Sequence, residues 1–296
     1  MQRLAVGQDG PGVNSDPASI CRELDGVSPG QQKGIPGLRV TILGSGSGGN
    51  CALVESGTTR LLVDAGFSGK QIVERLLALG IDPQTLAGVL LTHEHGDHVV
   101  GLPGLTRRYG LPIYCNRLTR QAVQTGIKAT VDWKLFQTGT TFSIGALSIE
   151  SFPVPHDAYD PVGFVIQGGG RTAGFLTDLG YATHAVIERV RQAEILVLEA
   201  NHDPELLRAD PKRPWAVKQR ILARHGHLSN AAAAEVAGEV VTERLRHLFL
   251  GHLSEDCNSP ELAETCVARK LAERGADHVC LHRTSQHTFS APVHVG

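Results

Sequence analysis

Residues 92–98 read Thr-His-Glu-His-Gly-Asp-His and place three imidazoles and two carboxylates within one short stretch. Such groups cost free energy when they are buried without partners, and a metal ion supplies partners because imidazoles and carboxylates are its common ligands. Alternate residues His93, His95 and Asp97 can face one way while His98 faces another, so the spacing suits two adjacent ions. A polar surface loop with clustered histidines is the alternative interpretation, which the further candidate ligands disfavour.

Those further candidates stand where strands are predicted to end. His156 follows a strand that prolines interrupt, while Asp178 and His252 each follow a short apolar strand. Each one alone could be a surface residue or a turn cap. Three such residues at strand ends, beside a loop with the composition of residues 92–98, predict a single metal centre.

The elements that must position these residues are strands and helices in clusters. Ala87–Leu91, directly before the histidine loop, is a short aliphatic run typical of a buried strand. Strands recur in groups with helices between and after them, which does not fit a doubly wound parallel sheet. We predict an α/β (α+β) fold in which two mixed β-sheets pack together and helices cover both outer faces.

Composition limits the domain organisation and the class of protein. Residues 1–36 are rich in Gly, Pro and Ser without periodicity and predict a disordered N-terminal extension, which leaves residues 37–296 as a single domain. The hydrophobic content of 41% is ordinary for a globular protein, and the net charge of −2 provides no general attraction to nucleic acid or membrane. No apolar run approaches the roughly eighteen residues of a membrane span.

The cysteines indicate a compartment. The sequence contains six, widely scattered and without a Cys-x-x-Cys pair. Scattered cysteines of this kind predict free, mostly buried thiols in a reducing environment. We therefore expect a cytoplasmic protein without a membrane partner.

The glycine-rich stretch Gly44–Asn50 superficially resembles a phosphate-binding loop. It lacks the Gly-Lys-Ser/Thr ending and leads into a strand, so no helix N-terminus faces a phosphate. A β-hairpin turn is the preferred interpretation. Its backbone N–H groups remain candidates for lining the site.

A basic stretch between residues 208 and 224 supports a phosphate-bearing substrate. The candidate phosphate contacts are Lys212, Arg213, Lys218 and Arg220, and Trp215 among them is a candidate for stacking on a base or sugar. An ordinary solvated helix face with one core tryptophan is the alternative interpretation.

The chain resembles the metallo-β-lactamase superfamily over about residues 38–290, with the motifs in the family's order. The matching positions are Asp64, the stretch 92–98, His156, Asp178 and His252. The resemblance implies a four-layer αββα sandwich with a dinuclear metal site at one edge. The fold serves many chemistries, so the family alone does not specify the substrate.

The resemblance also implies how the ligands divide between two divalent ions. The first ion would be held by the imidazoles of His93, His95 and His156. The second would be held by Asp97, His98 and His252. Asp178 would bridge the two ions, and Asp64 would orient the metal loop without binding an ion. Zinc or manganese suits these ligands, and iron is left open.

Four stretches more specifically resemble the YycJ/WalJ branch of the superfamily. They are Gly44–Cys51, His156–Ala158, Glu199–Asp203 and Gly226–Asn230. That branch is associated with 5′→3′ exonuclease activity on DNA. A similar glutamate–histidine pair in the tRNase Z relatives implies that His227, oriented by Glu199, protonates the leaving group. The alternative interpretation of His227 is a residue that merely precedes a helix cap.

The resemblance therefore implies a metal-dependent phosphodiesterase, specifically a 5′→3′ exonuclease acting on DNA with a hydroxide that bridges the two ions. Asp97, Asp178, Glu199 and His227 are the predicted catalytic residues. Two alternatives remain. One is a small-molecule hydrolase of the same fold acting on a thioester, lactone or cyclic phosphodiester, and the other is a nucleic-acid-binding module with structural metals. A homodimer is left open.

Overall fold

The computed structural model describes residues 35–296 of the chain. In chain order, the strands are β1 (Ile35–Gly44), β2 (Cys51–Gly57), β3 (Thr59–Val63), β4 (Gly88–Leu90), β5 (Ile113–Cys115), β6 (Trp133–Leu135), β7 (Thr141–Ile144), β8 (Leu147–Pro153), β9 (Val162–Gly168), β10 (Arg171–Leu176), β11 (Ile195–Glu199), β12 (His247–Gly251), β13 (Cys280–Arg283) and β14 (Val293–Val295). They form two seven-stranded sheets, ordered β14-β1-β2-β3-β4-β5-β6 and β13-β12-β11-β10-β9-β8-β7.

Both sheets are mixed. In the first, β14, β1, β2 and β3 are antiparallel neighbours, and β3 to β6 are parallel. In the second, β7 to β10 are antiparallel, and β10 to β13 are parallel. Each sheet therefore contains one run of parallel strands whose carboxyl ends share an edge.

The helices of the described residues connect these strands. They are α1 (Gly69–Ala78), α2 (Gly96–Val99), α3 (Leu102–Tyr109), α4 (Arg117–Val123), α5 (His184–Val190), α6 (Pro204–Ala209), α7 (Trp215–Leu222), α8 (Asn230–Val240) and α9 (Pro260–Glu273). Ser68, Thr183, Ser229 and Ser259 accept hydrogen bonds from the first turns of α1, α5, α8 and α9. Such caps satisfy backbone N–H groups that a helix leaves unpaired.

Alternation along the strands produces the layers. Val40 and Ile42 of β1 belong to the apolar core between the two sheets, while Leu43 belongs to the core beneath α1 and α3. In the second sheet, Phe249 faces the first sheet and Leu250 packs against the helices on the opposite face. Successive side chains of a strand point to opposite faces, so each sheet buries both faces. The predicted four-layer αββα arrangement is confirmed.

The segment that follows the histidine loop forms two short helices, α2 and α3, rather than one continuous helix. Gly101 lies between them, its N–H bonded to Ala65 O at 2.8 Å, and a Cβ there would lie 2.4 Å from Phe67 O. Close packing against the 65–67 turn therefore breaks the helix.

The structure can be compared with the predictions for the N-terminal boundary and for the state of the cysteines. The first strand begins at Ile35, two residues inside the predicted extension, and the rest of that extension lies outside the described residues. Cys51, Cys115, Cys257 and Cys266 are free thiols, as predicted. Cys280 is disulfide-bonded, so the prediction is wrong at that position. None of the helices within residues 35–296 is long and apolar enough to cross a membrane.

Candidate metal centre

The predicted ligands follow parallel strands in both sheets. In the first sheet, β3 and β4 run parallel and lead into Asp64 and the loop 92–98. In the second sheet, β10 and β12 lead into Asp178 and His252, while Glu199 ends β11 between them. Carboxyl ends of parallel strands share one edge of a sheet, where ligands commonly bind. The fold thus gathers residues that are distant in the sequence.

The first ligand group consists of His93, His95 and His156, whose ring nitrogens lie within 4.8 Å of one another. His156 Nδ1 donates to Gly226 O at 3.0 Å, which leaves Nε2 facing His95 Nδ1 at 3.3 Å. His93 Nε2 is buried without a hydrogen-bond partner. Burial and the neighbouring His98 imidazole hold the pKa of His93 well below its usual value. A neutral, unpartnered ring nitrogen is suited to bind a metal ion.

The second ligand group consists of Asp97, His98, Asp178 and His252, again with ligand atoms within 4.8 Å. Asp97 Oδ2 lies 3.2 Å from His252 Nε2 and 3.4 Å from His98 Nε2. Burial lowers the pKa of His98, but the carboxylates of Asp178, Asp64 and Asp97 outweigh burial and hold that pKa well above its usual value. Two carboxylates and two imidazoles that converge in this way are suited to hold a divalent cation.

Asp178 lies between the two groups. Its Oδ1 is 3.8 Å from His156 Nε2 in the first group and 3.4 Å from His252 Nδ1 in the second, and its Oδ2 is 3.2 Å from His98 Nε2 in the second. The Oδ2 atom is buried and lacks a partner with hydrogen-bond geometry. A buried carboxylate that lies within 4 Å of histidines from both groups has the placement that a bridging ligand needs.

Asp64 accepts hydrogen bonds that fix the position of the loop 92–98. Its Oδ1 accepts the Thr92 N–H at 2.9 Å, and its Oδ2 accepts from Thr92 Oγ1 at 2.9 Å and from His98 Nδ1 at 2.8 Å. The carboxylate therefore selects the His98 tautomer that turns Nε2 towards Asp97 and Asp178. This geometry is what the predicted orienting role requires.

Three residues of the centre adopt left-handed backbone conformations. Asp64, Asp178 and His252 have φ values of 61°, 59° and 54°, and they are the non-glycine residues with positive φ in the described part of the chain. Such conformations cost free energy and persist where surrounding contacts impose them, commonly at functional sites. Each residue lies within two positions of the end of a strand, so the turn redirects its side chain into the centre.

Glu199 links the predicted proton donor to the second ligand group. Its Oε1 accepts from His227 Nδ1 and from His252 Nδ1, both at 2.7 Å. Its Oε2 accepts the N–H groups of Leu179 and Leu228 at 3.1 Å. Burial lowers the pKa of His227, but the Glu199 carboxylate outweighs burial and raises it. The sequence pointed to Glu199 as a partner of His227, while its contact with His252 emerges only in the fold.

The donor set fits divalent metal ions. The unpartnered, buried His93 Nε2 and Asp178 Oδ2 need partners, and both face groups of metal-ligand type. Imidazoles and carboxylates together suit zinc, manganese or iron. Within the described residues, His93, His95, Asp97, His98, His156, Asp178 and His252 would hold them.

A cavity of about 450 Å³ opens beside the centre. Its wall includes Asp97, Asp178, His227 and His252 from the centre, and Leu207 and Val217 from α6 and α7. Polar and charged side chains make up most of the wall, with a few apolar side chains among them.

The predicted phosphate contacts are engaged by carboxylates or carbonyl groups. Arg213 and Arg220 lie in the cavity wall, but Arg213 pairs with Asp210 at 2.6 Å and Arg220 pairs with Asp157. Lys212 is exposed and pairs with Asp256. The Lys218 side chain is buried, and its ammonium group donates to Arg208 O at 2.7 Å and to Asp210 O. The basic stretch is therefore largely neutralised, while Trp215 on α7 is 59% exposed.

Three buried residues near the centre were not singled out from the sequence. Asn50 and Ser45 of the glycine-rich stretch contact the second ligand group. His202 lies in the cavity wall, and neither of its ring nitrogens has a hydrogen-bond partner. Asn50 could have been recognised as the polar residue that ends the glycine-rich stretch. A glycine turn does not itself require an amide side chain at that position.

Comparison with known proteins identifies the family. Residues 59–248 match the family described as the beta-lactamase superfamily domain. The chain belongs to the metallo-β-lactamase superfamily. It is 38% identical over 241 residues to exodeoxyribonuclease YycJ of Bacillus anthracis, which covers 81% of this chain and 91% of the relative. It is 39% identical over 241 residues to exodeoxyribonuclease WalJ of Streptococcus pneumoniae, which covers 80% and 89%.

Within the superfamily, the chain is therefore YycJ/WalJ-like, as predicted. Among solved structures, the metallo-β-lactamase fold protein YhfI from Bacillus subtilis superposes with a TM-score of 0.67 at 19% identity, covering 86% of this chain and 99% of YhfI. That likeness concerns the fold alone. The family, its exonuclease relatives and the His/Asp ligand groups identify the protein as a metal-dependent hydrolase.

Proposed function

We propose that this protein is a phosphodiesterase with two divalent ions and that it degrades DNA as a 5′→3′ exonuclease. The observation that carries the proposal is the position of Asp178 between two ligand groups, with the Glu199–His227 pair beside them. The relatives named exodeoxyribonuclease supply the substrate class. Zinc and manganese are the candidate ions, with iron left open.

The charges of the centre suit an attack on a phosphodiester. Divalent ions in the two ligand groups would lower the pKa of water to about 7 and offset the negative charge of the phosphate. Asp97 and Asp178 keep the ligand groups anionic, because nearby imidazoles hold the pKa of both carboxyls well below the usual value against the opposing effect of burial. Both carboxylates are therefore in the deprotonated form that a divalent ion binds.

His227 is the proposed proton donor to the leaving oxygen. Its Nδ1 donates to Glu199 Oε1, so Nε2 is the ring nitrogen that remains for substrate. The Glu199 carboxylate stabilises the protonated ring and raises its pKa against the effect of burial. The His227 side chain is 21% exposed and lies in the cavity wall, where a substrate group has access to it.

Side chains around the cavity offer further contacts for a nucleotide. Arg220 on α7 pairs with Asp157 in the loop that follows β8, and both residues line the cavity. This ion pair joins α7 to that loop. The exposed Trp215 at the start of α7 offers an aromatic surface on which a base can stack.

The test is hydrolysis of DNA labelled at the 5′ or the 3′ end, with single-stranded DNA and RNA of the same sequence, in Mn²⁺ or Zn²⁺. We expect early release of labelled mononucleotide from the 5′-labelled DNA and gradual shortening of the 3′-labelled strand. An Asp97→Ala/His98→Ala variant should lose this activity. Intact polymers after incubation with metal-loaded wild-type protein would contradict the proposal.

The neutralised basic stretch favours a second candidate, hydrolysis of a compact phosphodiester. Arg213 and Arg220 pair with carboxylates, so the phosphates of a long polymer have few free cations to contact here. A small aryl phosphodiester and a cyclic phosphodiester belong in the same assay. Rapid turnover of these compounds without polymer cleavage would support this second candidate.

A further inference from the structure

The amide of Asn50 has one possible orientation. Its Oδ1 accepts the Gly46 N–H at 3.1 Å and the Ser45 hydroxyl at 2.8 Å. A backbone N–H can only donate, so the atom facing it must be the oxygen, and Nδ2 must lie on the other side. That Nδ2 is 3.3 Å from both Asp97 Oδ2 and His98 Nε2. Asn50 therefore presents a donor to the second ligand group and is not itself a ligand.

Ser45 extends the same chain of hydrogen bonds to a third ligand. The His252 N–H donates to Ser45 Oγ at 2.7 Å, and Ser45 Oγ donates to Asn50 Oδ1 at 2.8 Å. His252 has a φ of 54°, so its backbone needs a contact that holds this costly conformation. One hydrogen-bonded chain thus connects the backbone of His252 with the carboxylate of Asp97.

The backbone of the glycine-rich stretch also forms hydrogen bonds that fix the position of Asp97. Asn50 N donates to Asp97 O, and Asn50 O accepts the Gly66 N–H, both at 2.8 Å. The N–H groups of Gly46 and Gly48 donate to the side chains of Asn50 and Gln286. These N–H groups are occupied within the protein, so the stretch contacts the centre through Asn50 and Ser45 rather than through a nest of free amides.

We propose that Asn50 and Ser45 are positioning residues that set the affinity of the second ligand group for its divalent cation and leave the first group unaffected. The hydrogen bonds of Asn50 and Ser45 within residues 35–296 reach Asp97, His98 and His252 but none of the first-group histidines. Partners that orient metal ligands typically change metal affinity about 10–100-fold when they are removed. This inference rests on the proposed two-ion site.

The experiment is equilibrium dialysis of metal-free protein against graded Mn²⁺ or Zn²⁺, with bound metal measured by mass spectrometry. We expect wild-type protein to bind two ions. Asn50→Ala should weaken the binding of one ion about 10–100-fold and leave the other unchanged. Ser45→Ala, which removes a single hydroxyl, should weaken the same ion. Ser47→Ala on the same loop is the matched control and should bind both ions as wild type does.

Two background variants identify the affected ion. With His156→Ala, which disables the first group, adding Asn50→Ala should abolish most of the remaining binding. With Asp97→Ala, which disables the second group, adding Asn50→Ala should change nothing. Circular dichroism of the metal-free variants checks folding, and if Asn50→Ala fails to fold, Ser45→Ala provides the same comparison.

The outcomes separate this inference from the proposed function. Two ions in wild-type protein, with equal or no weakening of both in Asn50→Ala and Ser45→Ala, would overturn the positioning role alone. A single ion in wild-type protein would overturn the two-ion site and the positioning role together. Selective weakening of the second-group ion supports both.

Discussion

Individual carboxylates in this centre act by orienting imidazoles. Asp64 holds His98, and Glu199 holds both His227 and His252 through their Nδ1 atoms. In each case the carboxylate engages Nδ1, so Nε2 is the ring nitrogen that is left to face the centre. A variant at one of these residues should therefore change either metal binding or proton transfer, according to which imidazole it releases.

Replacing His227 with alanine should slow the chemical step without removing metal. Loss of a positioned proton donor typically costs about 10²–10⁴-fold in rate. Because Glu199 raises the pKa of His227, the protonated form persists above the usual range, and the rate should fall as pH rises through that raised pKa. The variant should lack this decline. His225→Ala, an exposed neighbour, is the control for kcat and metal content.

His227→Ala with a wild-type kcat and a wild-type pH profile would exclude the proton-donor role. Reduced metal content in the variant would instead place His227 among the ligands, as its proximity to Asp178, Glu199 and His252 allows.

His202 should make the stability of the protein sensitive to acid. Burial lowers its pKa to about 4, below the value of about 6.5 of an unfolded histidine. Between these values the unfolded chain binds more protons, so the free energy of unfolding should fall as pH decreases from about 6.5 towards 4. One histidine contributes at most about 1.4 kcal/mol per pH unit. Urea unfolding of the metal-free wild-type protein and of His202→Gln at several pH values would measure this pH dependence of the free energy of unfolding.

The variant should show a shallower decline of unfolding free energy with decreasing pH. Parallel pH dependences for the two proteins would show that His202 does not carry the effect.

At the scale of elements, lysine and arginine side chains attach α6 and α7 to their neighbours. Lys218 lies on α7, and its ammonium group donates to carbonyl groups at the end of α6 and in the connection that follows. Arg213 and Lys212 in that connection pair with Asp256 before α9. The basic residues that suggested phosphate binding thus attach α7 to its neighbours, and α7 forms part of the cavity wall.

Lys218→Met should destabilise the protein by about 1–3 kcal/mol, because buried carbonyl groups lose their charged donor. Lys212→Met is the matched control, since Lys212 is 70% exposed and exposed ion pairs contribute little. Urea unfolding measures both. Equal stability of the two variants would contradict the structural role of Lys218 and return it to the candidate phosphate contacts.

For the whole molecule, the metal centre takes its ligands from both sheets, which elsewhere pack largely through the apolar core between them. The ligands come from the loop after β4 in the first sheet and from turns after β8, β10 and β12 in the second. Without cations, imidazoles are the charged groups that offset the carboxylates of Asp97 and Asp178. Metal should therefore stabilise the sandwich as a unit.

Removing metal with a chelator should lower the thermal midpoint. A ligand at roughly 100–1,000 times its Kd stabilises the folded state by about 3–4 kcal/mol. For a domain of this size, that corresponds to roughly 5–15 °C. Differential scanning calorimetry with and without Mn²⁺ would measure it, and Asp97→Ala/His98→Ala should lose most of the shift. An unchanged midpoint in wild-type protein would contradict metal binding to the folded state.

The sequence by itself determined the family, the fold and the principal candidate ligands. The histidine loop 92–98 is local, and short-range alternation in the strands reports which faces are buried, so both can be recognised without long-range information. The motif order then implied Asp64, His156, Asp178 and His252. The short strands β6 and β14 escaped prediction, because three residues carry too little periodicity and their pairing partners lie elsewhere in the chain.

Only the tertiary structure decided which polar groups meet. Ser45 and His252 are 207 positions apart, and Glu199 reaches His252 across 53. The same folding turned Lys218 inwards and paired Arg220 with Asp157, 63 positions away. A sequence pattern reports whether a residue is polar, but its hydrogen-bond partner depends on how distant strands and loops pack. For that reason the candidate ligands and Asp64 were predictable from the chain, whereas the contacts of Asn50, Ser45 and Glu199 with the second ligand group were found in the fold.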